Sequence, residues 1–366
     1  MADTRLVKLA HLLVNYSLRL QPGDLLQINT TPLAAPLVRE VYREALLAGA
    51  HPYTRINLPE MQELLLKHGS DEQIGYLPRT EQQEIEDINA LLTIWAEVNT
   101  KHLSGVDPAK LALRQQANRA WRRTYFERSA SGDLRWCGTQ FPTEAAAQDA
   151  EMSLLDYEEF VYGAGKLDAA NPVAEWRAVH DQQQRIADLL GTKREIRLVA
   201  PGTDLTYETD GRRWLNADGT ANFPDGEVFT SPVETKTHGH ISFTYPAVYG
   251  GYEVEGVRLV FEEGRVVEAT AAKGEELLRT QLDLDEGARR LGEAAFGLNY
   301  DIQRFSRNTL FDEKIGGTIH LALGQSFPEI GGQNESAVHW DMVCDMRASE
   351  VYADGELIYK GGRFIV

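Results

Sequence analysis

Apolar residues recur every three or four positions in LVKLAHLLVNYSL and again in LVREVYREALLAGA, the spacing of helices with one face turned inward. Between them, PGDLLQINT reads as a turn followed by a strand, and HPYTRINL and ALLTIWAEVN continue the alternation. Gly49 suits a helix stop. Such a rhythm predicts parallel strands joined by crossover helices. Pro108 opens one long predicted helix over VDPAKLALRQQANRAWRRTYFERS, whose WRRTYF aromatics either seat the helix or meet a second subunit. NPVAEWRAVHDQQQRIADLL is helical up to Gly191.

Near residue 195 the pattern changes. KREIRLVAPGTDLTYETDGRRWLNADG alternates apolar and polar residues between Gly- and Asp-rich turns, which predicts antiparallel strands. YEVEGVRLVFEEGRVVEATA reads as a hairpin, DEGARRLGEAAFGLN as a helix interrupting the strands, and EVYADGELIYKGGRFIV as a terminal hairpin turning at Asp354-Gly355. The expected fold class is therefore α/β. An N-terminal α/β domain with a mainly parallel sheet spans 1–194, and a mixed α+β, metal-binding domain rich in antiparallel strands spans 195–366. A chain of 366 residues is long enough for two such cores.

Composition narrows the partners. Hydrophobic residues make up 43% and charged residues 25%, as in a globular protein that stays in water. No stretch approaches the eighteen or so uncharged apolar residues of a membrane span. MADTRLVKLAHLLVNYS lacks the apolar core of a signal peptide, so a cytoplasmic location is expected, and the sequons at Asn15, Asn29 and Asn334 go unglycosylated. The two cysteines, Cys137 and Cys344, form no Cys-X-X-Cys pair and suit a reducing compartment. A formal charge of −18 without a long basic run argues against nucleic acid as a partner. GAGKLD at Gly163 lacks the spacing of a phosphate-binding loop and reads as a turn.

The chemistry concentrates in the second half. In NESAVHWDMVCD, His339 and Asp341 are two residues apart in an apolar run, so on a strand they share a face. A buried carboxylate must be paired or bound to a cation, and a His-Asp pair can satisfy itself. Three other segments place similar groups in apolar or glycine-rich surroundings. NFPDGEVFTSP offers Glu227, which a solvated turn would also explain. RRLGEAAFGLN offers Glu293, and NTLFDEKIGGTIHLALG offers Glu313 and then His320, which a core histidine would explain. Taken together, Glu227, Glu293, His320, His339 and Asp341 exceed the three protein ligands of one catalytic zinc. Three carboxylates and two imidazoles suit two divalent ions with one carboxylate bridging, and the donors do not select sharply among Zn, Co, Mn and Mg.

These motifs, in order, resemble those of the thermophilic-type metallo-aminopeptidases, peptidase family M29 or the aminopeptidase T family. The likeness runs over nearly the whole chain. It includes NYSLRLQPGDLLQINTTPLAAPLVREVYREALLAGAHP, LRWCGTQFPTEAAAQDAEMSLLDYEEFVYGA, NFPDGEVFTSPVE, LGEAAFGLN, NTLFDE, HLALG and NESAVHWD. The resemblance implies a two-metal centre held by Glu227, Glu293, His320, His339 and Asp341, with Glu313 at the centre as general base. It implies hydrolysis of the first peptide bond of short peptides by a metal-activated water, in a homodimer. The family commonly has a tyrosine seven residues after the histidine of HLALG; here that position is Phe327, which has no hydroxyl. Tyr245 is a nearby tyrosine that could compensate.

Rival readings are a metal-dependent amidohydrolase without a requirement for a free amine, and a catalytically silent peptide-binding homologue, for which Phe327 argues. Asp312 reads either as a group orienting Glu313 or as half of an acidic turn. His238 and His240 share a strand face and either line the cleft or are an ordinary exposed pair, and Cys344 reads as packing.

Overall fold

Leu25–Thr30, His51–Ile56, Ala90–Trp95 and Arg135–Gln140 form the expected parallel sheet in the computed structural model, which describes residues 3–365. The spatial order is His51–Ile56, Leu25–Thr30, Ala90–Trp95, Arg135–Gln140, with Asn222–Phe223 added in parallel at the far edge. The central strands read as apolar runs because helices cover such a sheet, and Leu26, Ile28, Leu92 and Ile94 are buried. The long helix expected after Pro108 is two helices, Pro108–Ala117 and Arg119–Ser131. Between them Asn118, at φ −82° and ψ 2°, leaves the helical region, as a residue whose side chain competes for backbone hydrogen bonds readily does. Trp121 stacks on Tyr125 at 5.5 Å, and Tyr125 lies 6.0 Å from Trp136, so these two seat the helix, whereas Phe126 is exposed.

Packing divides the chain into two units. One runs to Val173 and takes in Gly219–Pro224; the other is Ala174–Asp218 and the chain from Asp225 onward. The change of pattern near 195 marks where the antiparallel strands begin, at Glu195–Ala200. The packing boundary falls earlier because the helix Pro172–Leu190 places Ile186, Ala187 and Leu190 in the core of the second unit.

Two larger antiparallel sheets and a two-stranded pair, Ala247–Tyr249 with Tyr252–Val254, build that second unit among the described residues. The larger has eight strands and includes the predicted terminal hairpin, Glu350–Ala353 with Glu356–Lys360, beyond which Arg363–Phe364 forms the edge. Its turn needs positive φ at both central residues, and Asp354 (49°) and Gly355 (80°) supply it. The smaller sheet has five strands in the order His339–Asp345, Thr318–Gly324, Leu291–Gly297, Glu227–Thr230, Leu215–Ala217.

One element departs from expectation. DEGARRLGEAAFGLN is not a helix: only Gly287–Arg289 makes a 3-10 turn, and Leu291–Gly297 is a strand at the middle of the five-stranded sheet. Its leucine, glutamate and alanines favour helix locally, but all seven residues are buried between two partner strands, and that pairing overrides local propensity.

Candidate metal centre

Cross-strand register decides which side chains share a face of the five-stranded sheet. His320 stands opposite Ala295 and Val343; Ala322 stands between Glu293 and Asp341; Gly324 faces His339; and Glu227 is opposite Gly297. Glu227, Glu293, His320, His339 and Asp341 therefore project from one face. The alternate positions, among them Val228, Phe296, Ile319, Leu321, Trp340 and Met342, form the buried apolar face.

Glu293 reaches the polar face through a β-bulge. Leu291 is opposite Leu323, yet Glu293 is opposite Ala322, so Gly292 is an extra residue in its strand. A Cβ at Gly292 would collide with the carbonyl oxygens of Gly324 and Gln325, so only glycine fits there. Without the bulge, Leu291 and Glu293 would share a face.

Glu313 arrives from a loop. It follows the single turn Thr309–Asp312, which Asn308 caps by accepting from the Leu310 N–H. Asp312 does not orient Glu313. Its buried carboxylate accepts from the Ser306 N–H at 2.7 Å and the Ser306 hydroxyl at 2.9 Å, so it secures the loop. Burial pushes its carboxyl up to about 7.

All six residues singled out in the sequence converge as two triads, Glu227–Glu313–His320 and Glu293–His339–Asp341. His320 directs Nδ1 at the Glu313 carbonyl at 3.1 Å, and His339 directs Nδ1 at the Gln325 carbonyl at 2.8 Å. A carbonyl only accepts, so Nδ1 carries the hydrogen in each ring and Nε2 turns to the carboxylates. Glu293 spans the triads, with Oε1 3.6 Å from His320 Nε2 and Oε2 3.3 Å from His339 Nε2. Glu227 Oε2 lies 3.6 Å from His320 Nε2, and Asp341 Oδ1 lies 3.6 Å from His339 Nε2.

These spacings suit shared ions. Two donors each about 2.0–2.1 Å from one ion, at a tetrahedral angle, stand roughly 3.4 Å apart. Glu227 Oε2 and Asp341 Oδ1 are buried and have no hydrogen-bond partner among the described residues, a costly arrangement that a cation would relieve.

The charge balance points the same way. Four carboxylates, Glu227, Glu293, Glu313 and Asp341, make up the two triads with the histidines, and one ammonium, that of Lys314, pairs with two of them, Glu227 and Glu313. Burial lowers both imidazoliums, but the carboxylates outweigh it: Glu293 and Glu227 push His320 up to about 10, and Asp341 and Glu293 push His339 up to about 12. Burial raises the Glu227 and Glu313 carboxyls. It would raise Asp341 too, but His339 holds that carboxyl below its usual range. The centre calls for positive charge.

Sequence reasoning missed Lys314 and Asp225. Both are buried within the centre's charge network, and nothing in the DEKIGG run distinguishes an internal lysine from a surface one. Phe327 sets the edge of its ring against His339 and Phe229, each at 5.4 Å between ring centroids, and gives the centre an apolar side. Tyr245 is engaged elsewhere: its hydroxyl accepts from Arg347 and its ring stacks on Phe305. His238 and His240 lie on Thr237–Ser242 of the eight-stranded sheet and join neither triad. Cys344 lies on the apolar face, where burial pushes its thiol up to about 12.

Paired carboxylate–imidazole triads bridged by a glutamate are the kind of centre that metallohydrolases build. The chain matches the model of the thermophilic metalloprotease family M29 over residues 2–364, and it belongs to that family, the one its motifs resemble. Aminopeptidase 2 of Geobacillus stearothermophilus is 32% identical, the match covering 99% of this chain and 98% of that protein. Aminopeptidase T of Thermus thermophilus is 30% identical, with 99% and 98% covered. The fold is that of the solved wild-type AmpT from Thermus thermophilus, with a TM-score of 0.87 over 99% of both chains at 27% identity.

Proposed function

We propose that this metalloprotease is a two-metal aminopeptidase that removes the first residue of short peptides. The observation that carries this reading is the pair of triads spanned by Glu293, together with the orphaned oxygens of Glu227 and Asp341. The aminopeptidase names of its relatives give the direction of the chemistry. Glu227, Glu313 and His320 would hold one divalent cation, and Glu293, His339 and Asp341 the other. When bound, such a pair supplies Lewis-acid polarisation of the scissile carbonyl and acidifies a water molecule. Zinc, cobalt, manganese and magnesium all fit an oxygen-and-nitrogen set of this kind.

The chain's own groups do the rest. Glu313, with its carboxyl pushed up by burial, is placed to accept a proton at the centre and pass one to the leaving amine. A free α-amine held at the centre, by a cation or an acidic side chain, would confine cleavage to the amino end. Phe327 and Phe229 keep one side of the centre dry. Phe327 brings no hydroxyl, so stabilisation of the oxyanion does not depend on that position. The homodimer implied by the family is part of the proposal, and sedimentation analysis measures it.

An amino-acid p-nitroanilide assayed against its N-acetylated form tests the function. Cleavage of the free-amine compound alone, lost in chelator and restored by zinc or cobalt, is the expected result. Equal turnover of the two would make the protein a general amidohydrolase, and two bound ions without cleavage of any peptide would make it a silent homologue.

A further inference from the structure

We propose that Lys314 is a built-in counter-ion that makes the two cation positions unequal, so that the Glu293–His339–Asp341 position fills first and the Glu227–Glu313–His320 position second. This inference rests on the two-metal reading above. Only 2% of the Lys314 side chain is exposed, and its Nζ lies 2.5 Å from Glu313 Oε2 and 3.3 Å from Glu227 Oε1. Each of these carboxylates therefore commits one oxygen to the ammonium. The oxygen left to Glu227, Oε2, is the buried atom without a hydrogen-bond partner, and it faces His320 Nε2.

A cation entering this triad meets two handicaps. Neither carboxylate can offer both oxygens, and a fixed positive charge stands behind them. The other triad has no such competitor: among the described residues, Glu293 and Asp341 form ion pairs only with histidines. An imidazole gives up its Nε2 proton to an entering cation and becomes a ligand, whereas the ammonium stays a rival for the same oxygens. A unit charge a few ångströms away in a partly screened interior changes cation affinity by about tenfold or more.

Zinc titration of the whole, chelator-stripped protein by calorimetry tests this, alongside anomalous scattering from crystals given one equivalent of zinc. Wild type should take up zinc in two steps at least about tenfold apart, and the single equivalent should appear beside Glu293, His339 and Asp341. Lys314→Met should draw the steps together by tightening the second. Lys360→Met, at an exposed lysine paired with Glu350, should leave both unchanged. Two equal steps in the wild type, or a first ion beside Glu227, overturns the proposal and leaves the two-metal reading intact. Uptake of no zinc, or of one ion by both wild type and Lys314→Met, overturns both. If Lys314→Met does not fold, the order of filling in the wild-type crystals decides alone.

Discussion

The two faces of the five-stranded sheet share one backbone and meet opposite physical demands. On the apolar face, Phe296, Leu321, Trp340 and Met342 are removed from water, at about 25 cal/mol per Å² of apolar area, and that burial favours folding. On the polar face, Glu227, Glu293 and His320 are hidden almost as deeply and Asp341 is half-buried, and there burial is a cost unless charge is compensated. Ala295, Ala322, Gly297 and Gly324 stand opposite the polar-face residues and leave the room that larger side chains would fill. The lesson is one of support: a rigid apolar face lets the same strands hold like charges together at their other side.

Mutations that act on one face alone would break this division if it is wrong. The largest effect is expected from Glu313→Gln, which should lower kcat on an amino-acid p-nitroanilide by about 10²–10⁴-fold, the usual contribution of a positioned proton acceptor. Thermal unfolding in chelator should change little by comparison. On the apolar face, Phe296→Ala should cost about 3–5 kcal/mol in denaturant unfolding, through lost transfer free energy and a cavity. At a temperature where that variant is still folded, it should bind the wild-type number of zinc ions. Loss of zinc binding there would show that the faces are not separable.

Much of the fold is legible in the chain because strands and helices of the first unit keep clean periodicities. Leu25–Thr30 and Ala90–Trp95 read as apolar runs, as strands covered on both sides do. His339 and Asp341 were paired on a face by simple alternation, and Glu227, His320 and Glu313 stood out as polar groups in apolar or glycine-rich surroundings. Leu291–Gly297 was not legible as a strand. A bulge at Gly292 breaks its alternation, and Ala294 and Ala295 look alike from either side of the sheet. Lys314 was not legible either, since its burial depends on Glu227, a residue far away in sequence that sheet pairing brings alongside.

Gly292 offers a sharper test of the comparison, with a smaller effect on stability. Gly292→Ala forces a Cβ against two carbonyl oxygens, which should cost about 1–3 kcal/mol, as overpacking does. The strain falls where the strand steps from the apolar Leu291 to the proposed ligand Glu293, so both faces should feel it. Zinc affinity should weaken along with the unfolding midpoint. A loss of stability with unchanged zinc affinity would mean that the bulge does not position Glu293.

The smallest effect is a difference in pH dependence, and its sign separates the faces. In chelator, His320 and His339 are held above the ordinary histidine value of 6.5, at about 10 and about 12, by the carboxylates around them. A raised folded-state value means that the native protein keeps protons that the unfolded chain releases. The stabilisation is therefore complete below about pH 6.5, declines above it, and is lost as pH passes through about 10 and then about 12. Scanning calorimetry in chelator should show Tm falling between pH 7 and pH 10, by about 2–4 °C for each kcal/mol lost. With zinc in excess the slope should flatten or reverse, because cations take the place of protons on Nε2 and bind more tightly as protons leave. Phe296→Ala should lower both curves and leave the gap between their slopes intact, since its side chain touches no titrating group of the centre. Parallel curves with and without zinc in the wild type would mean that the imidazoles exchange no protons for metal, and the polar face would lose its claim to be a metal centre.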